Sequence, residues 1–316
     1  MATIDSVSGP LDTADLGFTL MHEHIIMQSP GVKENFSVFD PEAELANAVQ
    51  WLKEVQDRGV RTLVDLTVGN WRDIPFVKEA VAASGMQVIV ATGLYSDVPH
   101  YFRALSGRSV EHIAELFERD ISEGIMDTGV RAGVIKCATD ESGVTRDVER
   151  ILRAAAKAHR ATGVHISTHT HALSKVGLNQ QDIFEDEGVD LGRVVIGHSG
   201  DTEDTDYLQK LCDRGSFIGM DRFGLDFFLP TAQRVATIKK MCDLGYANKI
   251  LLSHDAACYM DWFDASLRQR VLPKWNFSYI PDDVLPALRE AGVSEDEITA
   301  MTVDNPRRIF EMQGAY

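Results

Sequence analysis

Six residues of types that bind metals or move protons recur along the chain at regular intervals. His22 and His24 flank Glu23 in Met21-His22-Glu23-His24, and Lys136, His169, His198 and Asp255 follow. Side chains alternate along an extended strand, so the two imidazoles share one face and Glu23 points to the other. Two neutral imidazoles on one face form a chelate suited to zinc, iron, cobalt or manganese. The interval from Lys136 to His169 is 33 residues, from His169 to His198 it is 29, and from His198 to Asp255 it is 57. A strand-plus-helix unit of a barrel averages roughly 30 residues. Each residue therefore returns to the same rim after whole repeats, the last interval spanning two. Lys136 is the unexpected member, because a buried lysine ordinarily snorkels or pairs with an acid.

The remaining histidines carry weaker arguments. His171 lies two residues after His169 and is its rival, but Thr168-His169-Thr170 sits better at a strand end. His165 falls within the same strand and reads as core. His254 adjoins Asp255, faces away from it in a strand, and at most supports a ligand. His100, His112 and His159 read as surface residues.

The elements that must position the six are short β-branched runs alternating with amphipathic stretches. Gly17 to His22, Arg61 to Thr67, Gln87 to Ala91, Ala132 to Lys136, Val164 to Thr168, Val194 to Gly197, Ser216 to Gly219 and Lys249 to Ser253 read as eight buried strands. Helical patterns lie between them, as at Pro41 to Arg58, Val110 to Gly124, Val148 to Thr162, Thr202 to Arg214 and Thr231 to Gly245. Several end at or just before glycine, a common stop. Eight alternating units predict an α/β fold, a (β/α)8 TIM barrel, with Ser294 to Phe310 as an extra C-terminal helix closing one end. An open doubly wound sheet is the alternative, but no glycine-rich dinucleotide loop follows the first strand. No linker or low-complexity run divides the chain, so residues 1–316 read as a single domain. In such barrels chemistry sits at the C-terminal ends of the strands. His22 and His24, Lys136, His169, His198 and Asp255 end strands one, four, five, six and eight.

In that order the residues resemble the ligand set of the amidohydrolase superfamily. Leu16-Gly-Phe-Thr-Leu-Met-His-Glu-His24, Gly133-Val-Ile-Lys-Cys-Ala138, Ser167-Thr-His-Thr170, Gly197-His-Ser-Gly-Asp-Thr202, Gly219-Met-Asp-Arg-Phe-Gly224 and Ser253-His-Asp255 resemble the phosphotriesterase family, within it the phosphotriesterase-like lactonases. The likeness runs from about Gly9 to Phe310 and includes Val303-Asp-Asn-Pro-Arg-Arg308. It implies two divalent metal ions, zinc foremost, bridged by a carbamylated Lys136 and a hydroxide. His22, His24 and Asp255 would bind the buried ion, and His169 and His198 the more exposed one. It also implies that Asp255 shuttles a proton, that Tyr95 reaches toward the hydroxide and substrate, and that Arg222 shapes the loop after strand seven. Cys258, Trp262 and Trp275 would line the pocket. The implied reaction is hydrolysis of a lactone, such as an N-acyl homoserine lactone, with phosphotriester hydrolysis as a side activity. Another ester, an amide or an organophosphate is the alternative substrate. The loops Thr67-Val-Gly-Asn-Trp-Arg72, Tyr95-Ser-Asp-Val-Pro99 and Ala256-Ala257-Cys258 depart from the lactonase pattern and border the pocket or the family's dimer surface.

Bulk properties agree with a small-molecule enzyme. Lys plus Arg (31) against Asp plus Glu (48) leaves a net charge of −17, which argues against nucleic acid and anionic lipid as partners. Residues 1–21 lack a basic start followed by an apolar run, and no apolar stretch approaches the ~18 residues of a membrane helix. The four cysteines lie far apart with no CxxC pair, as free thiols do. The expectation is a cytoplasmic enzyme, a homodimer by resemblance.

Overall fold

A computed structural model describes residues 2–36, 38–103 and 107–316. An antiparallel hairpin, β1 (Thr3–Ser6) and β2 (Gly9–Asp12), precedes the barrel. The barrel strands are β3 (Phe18–Met27), β4 (Val60–Asp65), β5 (Gln87–Gly93), β6 (Val134–Thr139), β7 (Ile166–Thr170), β8 (Val194–Ile196), β9 (Phe217–Met220), β10 (Ile250–Leu252) and β11 (Ala257–Met260). They pair in parallel in the order β10-β9-β8-β7-β6-β5-β4-β3-β11. All residues of β6 and β7 are buried, as strands covered on both faces require.

Two strand expectations need correction. The opening hairpin carries no alternation strong enough to be read as strand. The eighth barrel strand is also not one run: β10 pairs with β9, the chain breaks at residues 253–256, and β11 pairs with β3 in the register Ala257↔His24. The break arises at Asp255, whose φ of 55° is left-handed and cannot continue a pleated ladder. The Ser253 hydroxyl accepts from the His22 amide at 2.8 Å and the Asp255 amide donates to the His22 carbonyl at 3.0 Å, so the ring still closes.

Local signals set the helices. Pro41–Asp57 starts on Asp40, whose carboxylate accepts from the Glu42 and Ala43 amides, with Pro41 in the first turn. Arg146–Thr162 starts on Thr145 and stops at Gly163 in the left-handed region. Its inner face buries His159, contrary to the surface position expected from sequence. There His159 Nδ1 lies 2.8 Å from the Val164 carbonyl and Nε2 2.7 Å from the Tyr316 hydroxyl. The C-terminal segment is helical from Glu295 to Glu311, with a π turn at Ala300–Asp304 just ahead of Pro306, which has no N–H to offer the preceding turn. Its Ile309 and Phe310 pack with Leu16, Val195, Phe217 and Leu251 and plug one end of the barrel. The other end is left for the six residues. No described helix is long and apolar enough to cross a membrane.

Candidate metal centre

The six side chains converge toward the C-terminal rim, although not all end their strands as expected: His22 and His24 stand within β3 and Lys136 within β6, His169 is next to last in β7, and His198 and Asp255 lie just beyond β8 and β10. His22 Nε2 lies 2.9 Å from Lys136 Nζ and 3.3 Å from Asp255 Oδ1. His24 Nε2 is 3.1 Å from Asp255 Oδ1, and His198 Nε2 is 3.6 Å from Asp255 Oδ2. The His169 ring stands edge-on to His198 with centroids 4.4 Å apart. His22, His198 and Asp255 offer ligand atoms that all lie within 4.8 Å of one another. His198 and Asp255 are both left-handed, at φ 57° and 55°. Such backbone costs non-glycine residues of order 1–3 kcal/mol and persists only where surroundings enforce it. Beneath them, Gly93 is obligatory: a Cβ there would lie 1.8 Å from the Lys136 carbonyl oxygen.

Two residues that sequence reasoning missed, Asp221 and Glu23, do the enforcing, and a third, Thr67, orients His24. Asp221 Oδ2 pairs with His22 Nδ1 at 2.9 Å, while its Oδ1 takes both the His198 amide at 2.8 Å and His198 Nδ1 at 2.9 Å. One carboxylate thus orients two imidazoles with Nε2 toward the cluster, and Gly219 leaves the room it needs, since a Cβ there would lie 2.3 Å from Asp221 Oδ2. Thr67 bonds His24 Nδ1 at 2.8 Å. Glu23, on the reverse face of β3, accepts from the His254 amide, His254 Nδ1 and the Ala256 amide at 2.7–3.0 Å. It grips both flanks of Asp255 and explains the buried His254. The available signal was Glu23 itself, an acid facing away from two candidate ligands inside a buried strand.

Electrostatics match a ligand set. Burial, then Lys136, lowers His22 to about 4, and burial above all takes His198 well below its usual value. Their Nε2 lone pairs are therefore available at neutral pH. Burial lowers Lys136 to about 8. Burial opposes ionisation of Asp255, but His198, His22, the His24 hydrogen bond and Arg222 outweigh it and hold the carboxyl well below the usual range. Converging imidazole nitrogens, one ionised carboxylate and an amine with a depressed pKa fit a pair of divalent cations once the amine has become an anion.

The centre forms the floor of a cavity of about 400 Å³. Tyr95, Arg222, Trp262 and Trp275 line it, as does Trp71, which sequence reading left out. Cys258 does not: it is 4% exposed and enclosed in the main apolar core, and Met260 two residues on reaches the wall instead. His169 lines the cavity, whereas His171 turns outward to the Ser174 hydroxyl at 2.6 Å. The Tyr95 hydroxyl lies 2.9 Å from His169 Nδ1, and burial, then Asp140 and Asp255, push its pKa above the ordinary phenol value. Arg222 bridges two acids, Nε to Asp255 Oδ2 at 3.1 Å and Nη1 to Asp201 Oδ2 at 2.9 Å. Trp275 is also structural, its indole N–H donating to the His254 carbonyl at 2.8 Å. Trp71 and Trp262 meet edge to face at 5.6 Å and wall one side.

The sequence profile of the Phosphotriesterase family matches residues 2–310. The chain is 49% identical to the phosphotriesterase homology protein of Mycobacterium tuberculosis, with all of both sequences covered. It is 42% identical to the aryldialkylphosphatase of Saccharolobus solfataricus, covering 95% of this chain and 96% of that one. The solved structure of the phosphotriesterase from Mycobacterium tuberculosis matches with a TM-score of 0.97 at 48% identity over 100% of both chains.

Proposed function

The chain belongs to the phosphotriesterase family of metal-dependent hydrolases, and on that premise we propose that it opens lactone rings, with phosphotriester hydrolysis as a side activity. The observation that carries the reading is the cavity above the metal centre. Most of its lining is aliphatic or aromatic, and its polar side chains are the six candidate ligands with Thr67, Tyr95 and Arg222. A neutral substrate with one hydrolysable carbonyl and an apolar remainder, such as an N-acyl homoserine lactone, suits that division.

His22, His24 and Asp255 would hold the inner ion and His169 and His198 the outer one. Lys136 would bridge them as a carbamate: the neutral amine adds to carbon dioxide, an N–C bond forms and a proton leaves, so a cation that repels metals becomes a bidentate anion. Zinc is the ion we favour, and iron, cobalt and manganese suit the same donors. When bound, the pair acidifies a water and polarises the scissile carbonyl.

The chain's own residues complete the reaction. Tyr95 stays protonated at neutral pH, so its hydroxyl is a donor for the oxygen on which charge develops. Asp255, ionised and open to the cavity floor, accepts the proton of the attacking water and delivers it to the leaving alkoxide. Arg222 cannot relay that proton, because a guanidinium between two carboxylates stays charged. It holds Asp255 in place and presents its outer face to substrate. Organophosphate hydrolysis as the main activity is the second reading, motivated by the aryldialkylphosphatase relative. We further propose a homodimer, to be checked by sedimentation.

The deciding experiment is a kcat/KM comparison of lactones, aryl esters and paraoxon on metal-quantified protein, with ring size and acyl length varied separately. Lactones should lead by an order of magnitude or more. Parity or reversal would sink the lactonase reading.

A further inference from the structure

We propose that Asp140 is the positioning residue of His169 and thereby sets the occupancy of the outer metal position. The inference rests on the two-ion reading above. It starts from an asymmetry among the four imidazoles. His22 and His198 share the buried Asp221 through Nδ1, and His24 has Thr67, all at 2.8–2.9 Å and all inside the barrel. Each ring is oriented by the interior of the fold.

His169 has no such interior partner among the described residues. Two loop residues face it instead. The Tyr95 hydroxyl, from the loop after β5, lies 2.9 Å from Nδ1 and 3.3 Å from Nε2. Asp140, the first residue beyond β6, places Oδ1 3.8 Å from Nε2. That is ion-pair range rather than a direct hydrogen bond. The adjacent register explains the approach, because Ala138 pairs with His169 and Thr139 with Thr170 as the two strands leave the sheet together.

Asp140 is not a loose surface acid. Its own turn holds it, with the Gly143 amide donating to the Asp140 carbonyl and the Glu141 amide to Oδ1, both at 2.8 Å. Gly143, at φ 72°, makes that turn possible. A carboxylate beside one ring nitrogen of a histidine favours the proton there and leaves the opposite nitrogen as a lone pair. Asp140 thus stands behind His169 from the rim as Asp221 stands behind His22 and His198 from within, but at the opposite ring nitrogen, so the nitrogen it leaves free is Nδ1, the one beside the Tyr95 hydroxyl. The consequence is that the two metal positions are held differently. The ligands of the inner one are oriented from the barrel interior alone, whereas the outer one has His198 held from within by Asp221 and His169 from the rim by a carboxylate half in solvent.

The test is a cobalt(II) titration of chelator-stripped protein in bicarbonate buffer, followed by metal analysis and by the visible d–d bands. The wild type should take up two ions per chain. Asp140→Asn and Asp140→Ala should keep the first with unchanged affinity and bind the second about 10–100-fold more weakly. Asp140→Glu should recover part of the loss. Asp140→Asn retains an acceptor for the Glu141 amide, so the melting temperature of the metal-free protein should not move. An unchanged second ion in both the Asn and Ala variants overturns the inference, as does an equal loss of both ions. A wild type that binds fewer than two ions overturns the two-ion reading and this inference together, a pattern distinct from either of those.

Discussion

Replacing Asp221 by asparagine changes almost no volume and should nonetheless uncouple the inner metal. In the native protein Asp221 Oδ1 takes two donors, the His198 backbone amide and His198 Nδ1, while Oδ2 faces only His22 Nδ1. A backbone N–H cannot reverse its role. The single oxygen of the introduced carboxamide must therefore stay on the His198 side, which turns its NH2 toward His22 Nδ1. Two donors then oppose each other at a separation that was 2.9 Å, unless the His22 ring moves its proton from Nδ1 to Nε2. That tautomer satisfies the new hydrogen bond but protonates the nitrogen aimed at the metal. Restoring the lone pair costs one buried hydrogen bond, about 1–3 kcal/mol, or a roughly 5- to 150-fold loss of affinity. His198 keeps its acceptor, so the loss should fall on the inner ion. Competitive titration against a chelator measures the affinities, and nitrogen-15 spectra of labelled histidines in the metal-free variant identify the tautomer. An unprotonated His22 Nε2 in the variant, or an inner affinity within about 3-fold of wild type and so below the usual cost of such partners, would refute this role for Asp221.

Four further outcomes are expected. Asp255→Asn should fold, retain some metal and lose turnover, and near wild-type rates would remove the proton shuttle from the mechanism. Lys136→Ala should lose a metal ion and recover part of it with a short carboxylic acid, so full occupancy without the acid would refute the carbamate. Only the neutral amine adds carbon dioxide, and burial lowers Lys136 to about 8. The neutral fraction therefore rises from about a tenth at pH 7 to about nine tenths at pH 9. At a fixed concentration of dissolved carbon dioxide, reconstitution of metal-free protein with cobalt(II) should accelerate across that window and level off above it, and a pH-independent rate would count against the scheme. Glu23→Ala strips the acceptor from three buried donors around Asp255 and should destabilise the metal-free protein by about 3 kcal/mol or more, read from its denaturant midpoint.

What the sequence determined by itself is whatever repeats locally. Alternating side chains along β3 put His22 and His24 on one face, and intervals of 33, 29 and 57 residues return Lys136, His169, His198 and Asp255 to one rim. These depend on the period of a strand and the length of a strand-plus-helix unit, which neighbouring residues encode. Asp221, Glu23 and Thr67 followed no such rule. Their bonds to His22, His254 and His24 join residues 199, 231 and 43 apart, through side chains that meet only when the ring of strands closes. The same closure splits the eighth strand at Asp255, whose left-handed backbone interrupts the ladder between β10 and β11. It also settles Cys258 and His159: the family resemblance placed one in the pocket and the lack of a positional argument left the other on the surface, and packing buries both elsewhere. Sequence thus brought the candidate ligand atoms to one rim, and tertiary structure chose how each is held. Orientation of an imidazole depends on what stands behind it, and that is a property of contacts rather than of order along the chain.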